Sequence, residues 1–211
     1  FQNGLKIKLL YLEGEKKPVG FIEYVPGEYC WRPVNAKGYM FIHCLWTNGK
    51  KFQHQGLGGM LIQEVEKDAE NMSGVSVITS KKSFMATQDI FLKNGYTLAS
   101  ESEYEQLLVK QSSKGSLPTI NNCCDELKNH TGLSILYSKQ CPWVARFIEE
   151  MRPILEKEQL YPEIIELKTP GQAQNAPSVY GVLNLIYNGN ILADRYISTT
   201  RFSNIIRKHI K

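Results

Sequence analysis

Residues 52–61 read FQHQGLGGML, and this stretch decides the fold of the first half of the chain. Three glycines stand where an apolar segment begins, although glycine is unfavourable inside a helix. Leu57, Leu61 and Val65 recur at every fourth position, a spacing that predicts a helix over residues 57–72. A ligand that must approach the backbone closely would explain the glycines, and a plain turn explains them equally well.

The turn before this helix has the composition of an anion site. At a helix start the first N–H groups have no partner within the helix, and the helix dipole favours negative charge there. Side chains at Gly56 and Gly58 would obstruct a phosphate group. The stretch has neither the Lys-Ser/Thr of a Walker A loop nor the GxGxxG dinucleotide fingerprint. The physical interpretation is a cradle for a pyrophosphate.

The composition limits the classes of protein to consider. The chain has 211 residues, 42% of them hydrophobic, which is enough for one large domain or two small ones. Charges of both signs are spread along the sequence, with a net charge of +4, so we expect no nucleic-acid-binding face. No apolar run approaches the roughly 18–20 residues that span a bilayer. The sequence has no signal-peptide pattern, so we expect a cytoplasmic protein. The chain starts at Phe1 rather than Met, which predicts that the natural N-terminus is missing.

The order of predicted elements divides the chain into two domains. Residues 1–112 contain a strand hairpin at 4–26 and a strand at 38–46 before the glycine-rich turn, then a strand at 75–80, a helix over 83–95 and two further strands.

Residues 113–130 have lost this periodicity and are predicted to be a linker with a short helix. Residues 131–211 predict a strand, a helix, a strand, a strand hairpin and a closing helix. That order requires one parallel crossover and one hairpin.

The glycine-rich turn and its surroundings resemble a known family. Gln53, Gly56 and Gly58 form a Gln-x-x-Gly-x-Gly motif between an antiparallel meander and a helix. This order resembles the GCN5-related N-acetyltransferase (GNAT) family over roughly residues 4–110, and the turn at residues 93–96, Lys-Asn-Gly-Tyr, fits the end of that family's last helix. The resemblance implies an α/β (α+β) fold with a mixed, mostly antiparallel sheet and flanking helices. It also implies an acyltransferase that moves the acetyl group of acetyl-CoA directly onto an amine.

The resemblance assigns residues to the coenzyme. Contacts are expected mostly through the backbone, from Leu45, Trp46, Gln53, His54, Gln55, Gly56, Leu57, Gly58 and Gly59, and also at Phe91. The strand over residues 41–46 should part from its neighbour, so that a free main-chain N–H, with Leu45 as the candidate, polarises the thioester carbonyl. The pantetheine arm would run along this strand like an added strand.

The acid and base are less well defined by the resemblance. Phe91 stands where the family often has a tyrosine that protonates the leaving thiolate, so the thiolate leaves unassisted or takes a proton from water or another residue. His43 and Glu23 are the candidate bases for the amine proton. A purely structural histidine packed among aromatic residues explains His43 as well. The acceptor is expected to be a small-molecule or peptide amine, and a homodimer stays open.

The second domain resembles a thioredoxin-like fold. The strand at 132–138, Cys141 at a helix start and the later hairpin support this, and a GNAT domain followed by such a module resembles acetyltransferases with a YoaP-like C-terminal domain. A helix start stabilises a thiolate, so Cys141 is expected to be a reactive redox thiol. Val144 replaces the second cysteine of a dithiol motif. The alternative is therefore a non-catalytic or redox-sensing adaptor that uses a monothiol module.

The remaining cysteines do not have the spacing of a metal site. No pair is arranged as CxxC, and the adjacent Cys123 and Cys124 would chelate a single metal poorly. The sequence therefore predicts no bound metal.

Overall fold

The computed structural model describes residues 2–81, 86–122 and 125–210. The chain forms two compact units. The first comprises Phe1–Cys30 and Val34–Ile120, and the second comprises Trp31–Pro33 and Asn121–Lys211. The division between Ile120 and Asn121 falls within the segment predicted to be a linker. Cys123 and Cys124 lie outside the described residues.

The first unit is built on a six-stranded sheet in the order β1-β2-β4-β5-β7-β6. Only β4 and β5 are parallel, and the other neighbours are antiparallel. A separate two-stranded sheet joins β3 and β8, which the sequence did not predict. The strands are β1 (Lys6–Leu10), β2 (Gly20–Pro26), β3 (Val34–Asn35), β4 (Tyr39–Thr47), β5 (Gly74–Ser80), β6 (Thr97–Glu101), β7 (Glu105–Gln111) and β8 (Thr119–Ile120).

Helix α1 (Leu57–Asp68) packs its apolar stripe on this sheet. Leu61 and Val65 are buried with Ile22 and Ile42 in one hydrophobic cluster, which confirms the predicted helix face. The helix ends earlier than predicted because its last turn tightens: Ala69 N–H donates to the carbonyls of Val65 and Glu66, and the chain then turns towards β5.

The second predicted helix of this unit is shorter than expected. Helix α2 runs over Gln88–Lys93, whereas the prediction began at residue 83. Residues 82–85 lie outside the described part of the chain, so the predicted beginning falls partly there. Short 3-10 helices occupy Gln2–Gly4, Gly27–Tyr29 and Lys50–Phe52.

The second unit has a four-stranded sheet in the order β10-β9-β11-β12, with one parallel pair, β9 and β10. This confirms the predicted crossover and hairpin. Phe147 and Phe202 meet edge to face at 5.5 Å and join the two longer helices. The elements are β9 (Leu133–Tyr137), α3 (Pro142–Lys157), β10 (Glu163–Glu166), α4 (Pro170–Gln174), β11 (Leu183–Tyr187), β12 (Asn190–Ala193) and α5 (Thr199–His209).

Two features of the second unit differ from the sequence expectation. Helix α4 was not predicted, because its five residues are too few for a hydrophobic period. The short helix expected before β9 is a 3-10 helix over Asp125–Asn129. Among the described residues, no helix combines the length and apolar character needed to cross a bilayer.

Candidate active site

The two parallel strands of the first unit part halfway along their length. β4 and β5 pair from Tyr39 opposite Gly74 to Ile42 opposite Val77. Beyond this point β4 continues beside β2, and β5 continues beside β7. A cleft therefore opens between residues 43–47 and 78–80, as the resemblance implied.

The strand β4 directs main-chain N–H groups into this cleft. Asn48 N–H donates to Val19 O on the β2 side at 2.7 Å. Main-chain N–H groups alternate between the two edges of a strand. Those of Trp46 and Cys44 therefore also point towards β2, and those of Leu45 and Thr47 point into the cleft. Leu45 was the candidate donor named from the sequence, and its role in polarising the thioester stays a prediction.

The start of α1 lies beside Leu45. The Cδ2 atom of Leu45 is 3.9 Å from the place that a Cβ on Gly58 would occupy. The first hydrogen bond of the helix joins Met60 N–H to Gly56 O at 3.1 Å, so the amides of residues 57–59 have no acceptor within the helix. No side chain of the N-cap residue covers them. The helix start therefore presents an anion-binding set of N–H groups next to the cleft.

The glycines of the turn have different physical reasons. Gly56 has a φ of 76°, which favours glycine, and a Cβ there would meet no atom within 4 Å. A Cβ on Gly58 would overlap Ile90 Cδ1, and one on Gly59 would lie 3.3 Å from Asn94 Oδ1. The sequence interpretation gave Gly56 and Gly58 the same role. The structure gives open space only above Gly56, while Gly58 and Gly59 allow α2 to approach α1.

The remaining predicted coenzyme residues occupy two environments. Gln53, His54 and Gln55 are exposed on the turn, where Gln55 Nε2 donates to Lys51 O at 2.6 Å. Trp46 is 46% exposed at the end of β4.

Phe91 is instead buried in the core, with its ring 5.4 Å from that of Tyr96. Burial, together with the nearby Glu66 carboxylate, raises the pKa of Tyr96, so this hydroxyl keeps its proton.

The two candidate bases lie together. His43 Nδ1 is 3.1 Å from Glu23 Oε1, and the imidazole is fully buried with the Phe41 ring 5.6 Å away. The carboxylate therefore fixes the orientation of the ring. A β-bulge explains the arrangement, since Glu23 pairs with Cys44 and Tyr24 pairs with Ile42, which leaves His43 as the extra residue. His43 packs on an aromatic ring and also contacts the other candidate, and its role as a base stays a prediction.

An exposed apolar surface surrounds Glu23, and sequence reasoning missed it. Leu9 pairs with Phe21, and Phe21 pairs with Trp46, so these three side chains form a row on one face of the sheet. Leu9 is 51% exposed, and the rings of Phe21 and Trp46 are 5.9 Å apart. Ile7, which pairs with Glu23, is exposed as well. The sequence of β1 contains a signal for this apolar surface, because Ile7 and Leu9 alternate with lysines.

The thiol of the second unit lies at a helix start, as predicted. Cys141 is the N-cap residue of α3, and its carbonyl accepts a hydrogen bond from Val144 N–H at 3.0 Å. The preceding Gln140 accepts a hydrogen bond from the buried Arg32 at 3.0 Å. Trp143 is 60% exposed beside Tyr196. The part of the chain that the structure describes contains no group of three or more metal-ligating side chains.

Part of the chain matches a known family, and most of it matches a named relative. Residues 3–96 match the model of the acetyltransferase (GNAT) family. A relative described as an uncharacterized N-acetyltransferase, YoaP, from Bacillus subtilis (strain 168) is 27% identical over 193 residues, which cover 88% of this chain and 76% of the relative.

Two solved structures are similar at lower identity. The PaiA N-acetyltransferase of Thermoplasma acidophilum in complex with coenzyme A is 14% identical, with a TM-score of 0.41 over 51% of this chain and 61% of that chain. An acetyltransferase of Thermus thermophilus is 14% identical, with a TM-score of 0.43 over 52% of this chain and 66% of that chain. The present chain thus spans less than two thirds of the length of either solved protein.

The parted strands, the helix start and the family match concern the same residues. The first unit therefore contains the segment that is similar to the acetyltransferase (GNAT) family.

Proposed function

We propose that the protein is an acetyl-CoA-dependent N-acetyltransferase. The observation that carries the proposal is the set of helix amides at residues 57–59, which lies beside the cleft into which the Leu45 N–H points. Donors for an anion and a donor for a carbonyl oxygen are thereby adjacent, which is the arrangement that a pyrophosphate-bearing thioester requires. The family match and the description of the relative YoaP support the same activity.

The chain has residues for each part of the coenzyme. The amides of Leu57, Gly58 and Gly59 would hold the pyrophosphate, and the exposed turn at 53–55 would flank it. The free edge of β4 would pair with the pantetheine arm as an added strand. Acetyl-CoA supplies the acyl group as a thioester.

Main-chain and side-chain groups act in different parts of the acetyl transfer. The Leu45 N–H stabilises the negative charge that develops on the carbonyl oxygen during transfer. Glu23 and His43 receive the proton of the attacking amine, with the carboxylate orienting the imidazole. Phe91 has no hydroxyl, so the thiolate leaves without a proton from that position. A thiol has a pKa of about 8.5, which makes unassisted departure feasible near neutral pH. The acceptor is a small-molecule or peptide amine.

The second unit is proposed to be a thioredoxin-like module, with the domains at 1–112 and 131–211 joined by the segment 113–130. The strand order β10-β9-β11-β12, with Cys141 at the start of the helix after β9, supports this assignment. The relative YoaP matches over 88% of the chain and therefore includes part of this module. Cys141 is its proposed redox thiol.

Substitution at Gly56 tests the coenzyme site. Asparagine and aspartate both tolerate a positive φ, so Gly56→Asn and Gly56→Asp strain the backbone about equally. Only Asp places a negative charge where the pyrophosphate would lie. Titration calorimetry with coenzyme A should show at least about tenfold weaker binding for Gly56→Asp than for Gly56→Asn, or about 1.4 kcal/mol. Equal affinities of the two variants would refute the site. Gly58 is a poorer target because any side chain there meets Ile90.

A further inference from the structure

A concave site is formed by residues that precede the glycine-rich turn in the sequence. A cavity of about 580 Å³ opens between the turn that joins β1 to β2 and the loop that leaves β4. Its apolar part comes from Pro18, Val19 and Phe52. Its polar part includes Lys16 and Lys17. The volume is within the range of small-molecule sites.

The charges around this cavity do not cancel. Lys51 also lines it, and its ammonium lies 2.6 Å from Glu15 Oε1 and 4.5 Å from the centre of the Phe52 ring. Lys16 and Lys17 are exposed, and no carboxylate among the described residues is within ion-pair distance of either. A cavity lined by two such cations and an aromatic ring suits a ligand that joins a flat ring to a phosphate, which is the chemistry of a nucleotide.

The cavity is close to the proposed pyrophosphate site. Phe52 is four residues before Gly56, a separation of at most about 14 Å even in a fully extended chain. The adenosine of coenzyme A and its 3′-phosphate follow the pyrophosphate after a few bonds. A ligand held by the helix amides would therefore reach this cavity with its nucleotide end.

We propose that this cavity binds the 3′-phosphorylated adenosine of the coenzyme. Lys16 and Lys17 contact the 3′-phosphate, and the Phe52 ring contacts the adenine. This inference rests on the proposed function, because it takes coenzyme A as the ligand. It adds that residues of the β1–β2 turn distinguish coenzyme A from dephospho-coenzyme A, which lacks only the 3′-phosphate.

Binding of these two ligands tests the inference without an acceptor. Titration calorimetry should show that the unmodified protein binds coenzyme A about five- to tenfold more tightly than dephospho-coenzyme A, as expected for two solvent-exposed charge pairs. The double variant Lys16→Gln/Lys17→Gln should bind both ligands with the affinity that the unmodified protein has for dephospho-coenzyme A. Phe52→Leu should weaken both ligands by the same factor.

Lys37→Gln is the matched control. Lys37 is exposed and lies just before β4, so about 30 Å of strand separates it from the cavity. This variant should keep the full preference for coenzyme A. Equal binding of both ligands by the unmodified protein would overturn the inference and leave the coenzyme site intact. The inference would also be overturned if Lys16→Gln/Lys17→Gln kept the preference for coenzyme A over dephospho-coenzyme A. Absence of binding for both ligands would instead overturn the proposed function itself.

Discussion

The Asp68 carboxylate joins the edge of the first sheet to α1, and its removal should give a measurable loss of stability. Asp68 Oδ2 accepts hydrogen bonds from Tyr24 Oη at 2.6 Å and from Lys6 Nζ at 2.9 Å, and Oδ1 accepts one from Lys8 Nζ at 3.0 Å. The Asp68 side chain is 21% exposed. These contacts tie β1 and β2 to the last turn of α1.

The magnitude follows from the contacts that Asp68→Asn changes. The phenol can still donate to an amide oxygen, but a hydrogen bond to a charged group is worth about 1 kcal/mol more than a neutral one. Each partly exposed lysine contributes up to about 1 kcal/mol, and Lys8 keeps its contact with Glu64. The expected loss at pH 7 is therefore about 2 kcal/mol. Tyr24→Phe should cost about half as much, because the carboxylate keeps both lysines.

The loss of stability caused by Asp68→Asn should become smaller as the pH falls. Burial alone would raise the pKa of Asp68, but the hydrogen bonds from Tyr24, Lys6 and Lys8 outweigh it and hold this pKa well below its usual range. A lowered pKa in the folded state stabilises the protein above the unfolded pKa of about 3.9, and this contribution disappears as the pH falls further. Burial and the bond to Asp68 raise the pKa of Tyr24 to about 12, so the phenol remains a donor throughout.

Hydrogen exchange of the β2 and α1 peptides in urea measures the free energy of unfolding of the first unit separately from that of the second. The unmodified protein and Asp68→Asn should differ by about 2 kcal/mol at pH 7, and the difference should shrink below about pH 4. Combination with Tyr24→Phe should give less than the sum of the two losses. A difference below about 0.5 kcal/mol at pH 7, or one that grows in acid, would contradict the reasoning.

Three further predictions concern the cleft, the second unit and the thiol. Leu45→Pro removes the cleft-facing N–H of residue 45 without removing a hydrogen bond to β2. The rate of thiol release from acetyl-CoA in the presence of a panel of amines should therefore fall about 100-fold. The control Leu45→Ala keeps the N–H, and its rate should stay within about tenfold of that of the unmodified protein. Thr169 and Gln172 form a capping box at α4, so Thr169→Ala should lower the free energy of unfolding of the second unit by about 1 kcal/mol. An unchanged midpoint of urea unfolding would contradict this prediction. Cys141 is partly exposed and Cys30 is fully buried, so mass mapping after brief alkylation of the folded protein should find Cys141 modified before Cys30, and the reverse order would contradict this placement.

Much of the first unit follows from periodicity in the sequence. The stripe of Leu57, Leu61 and Val65 predicts the buried face of α1, and the continuous apolar run at 75–80 predicts the buried strand β5. These elements are predictable because hydrophobic burial selects them locally. The parting of β4 and β5 was implied by the family resemblance alone, since nothing in either strand shows where their pairing ends.

The features that sequence reasoning missed depend on contacts between distant residues. The bulge at His43 is a matter of register between β2 and β4, and neither strand has at the bulge itself the glycine or proline that often marks one. The exposed row of Leu9, Phe21 and Trp46 requires the register of three strands. The contact between Glu23 and His43 follows from the same register, so the candidate bases could be named from the sequence but not brought together.

The two reasons for a glycine at position 58 can be separated by experiment. Alanine alone should be destabilising by about 1–3 kcal/mol because its Cβ overlaps Ile90 Cδ1, even though alanine favours a helix. Ile90→Val removes that methyl group, so Gly58→Ala/Ile90→Val should recover most of the loss in urea denaturation. If packing is the reason for Gly58, the repaired variant binds coenzyme A normally. A repaired variant that is stable but binds coenzyme A at least about tenfold more weakly, a difference of about 1.4 kcal/mol, would show that the ligand, and not α2, requires glycine there. Because Gly56 has open space and Gly58 does not, the packing explanation is the one that the structure favours.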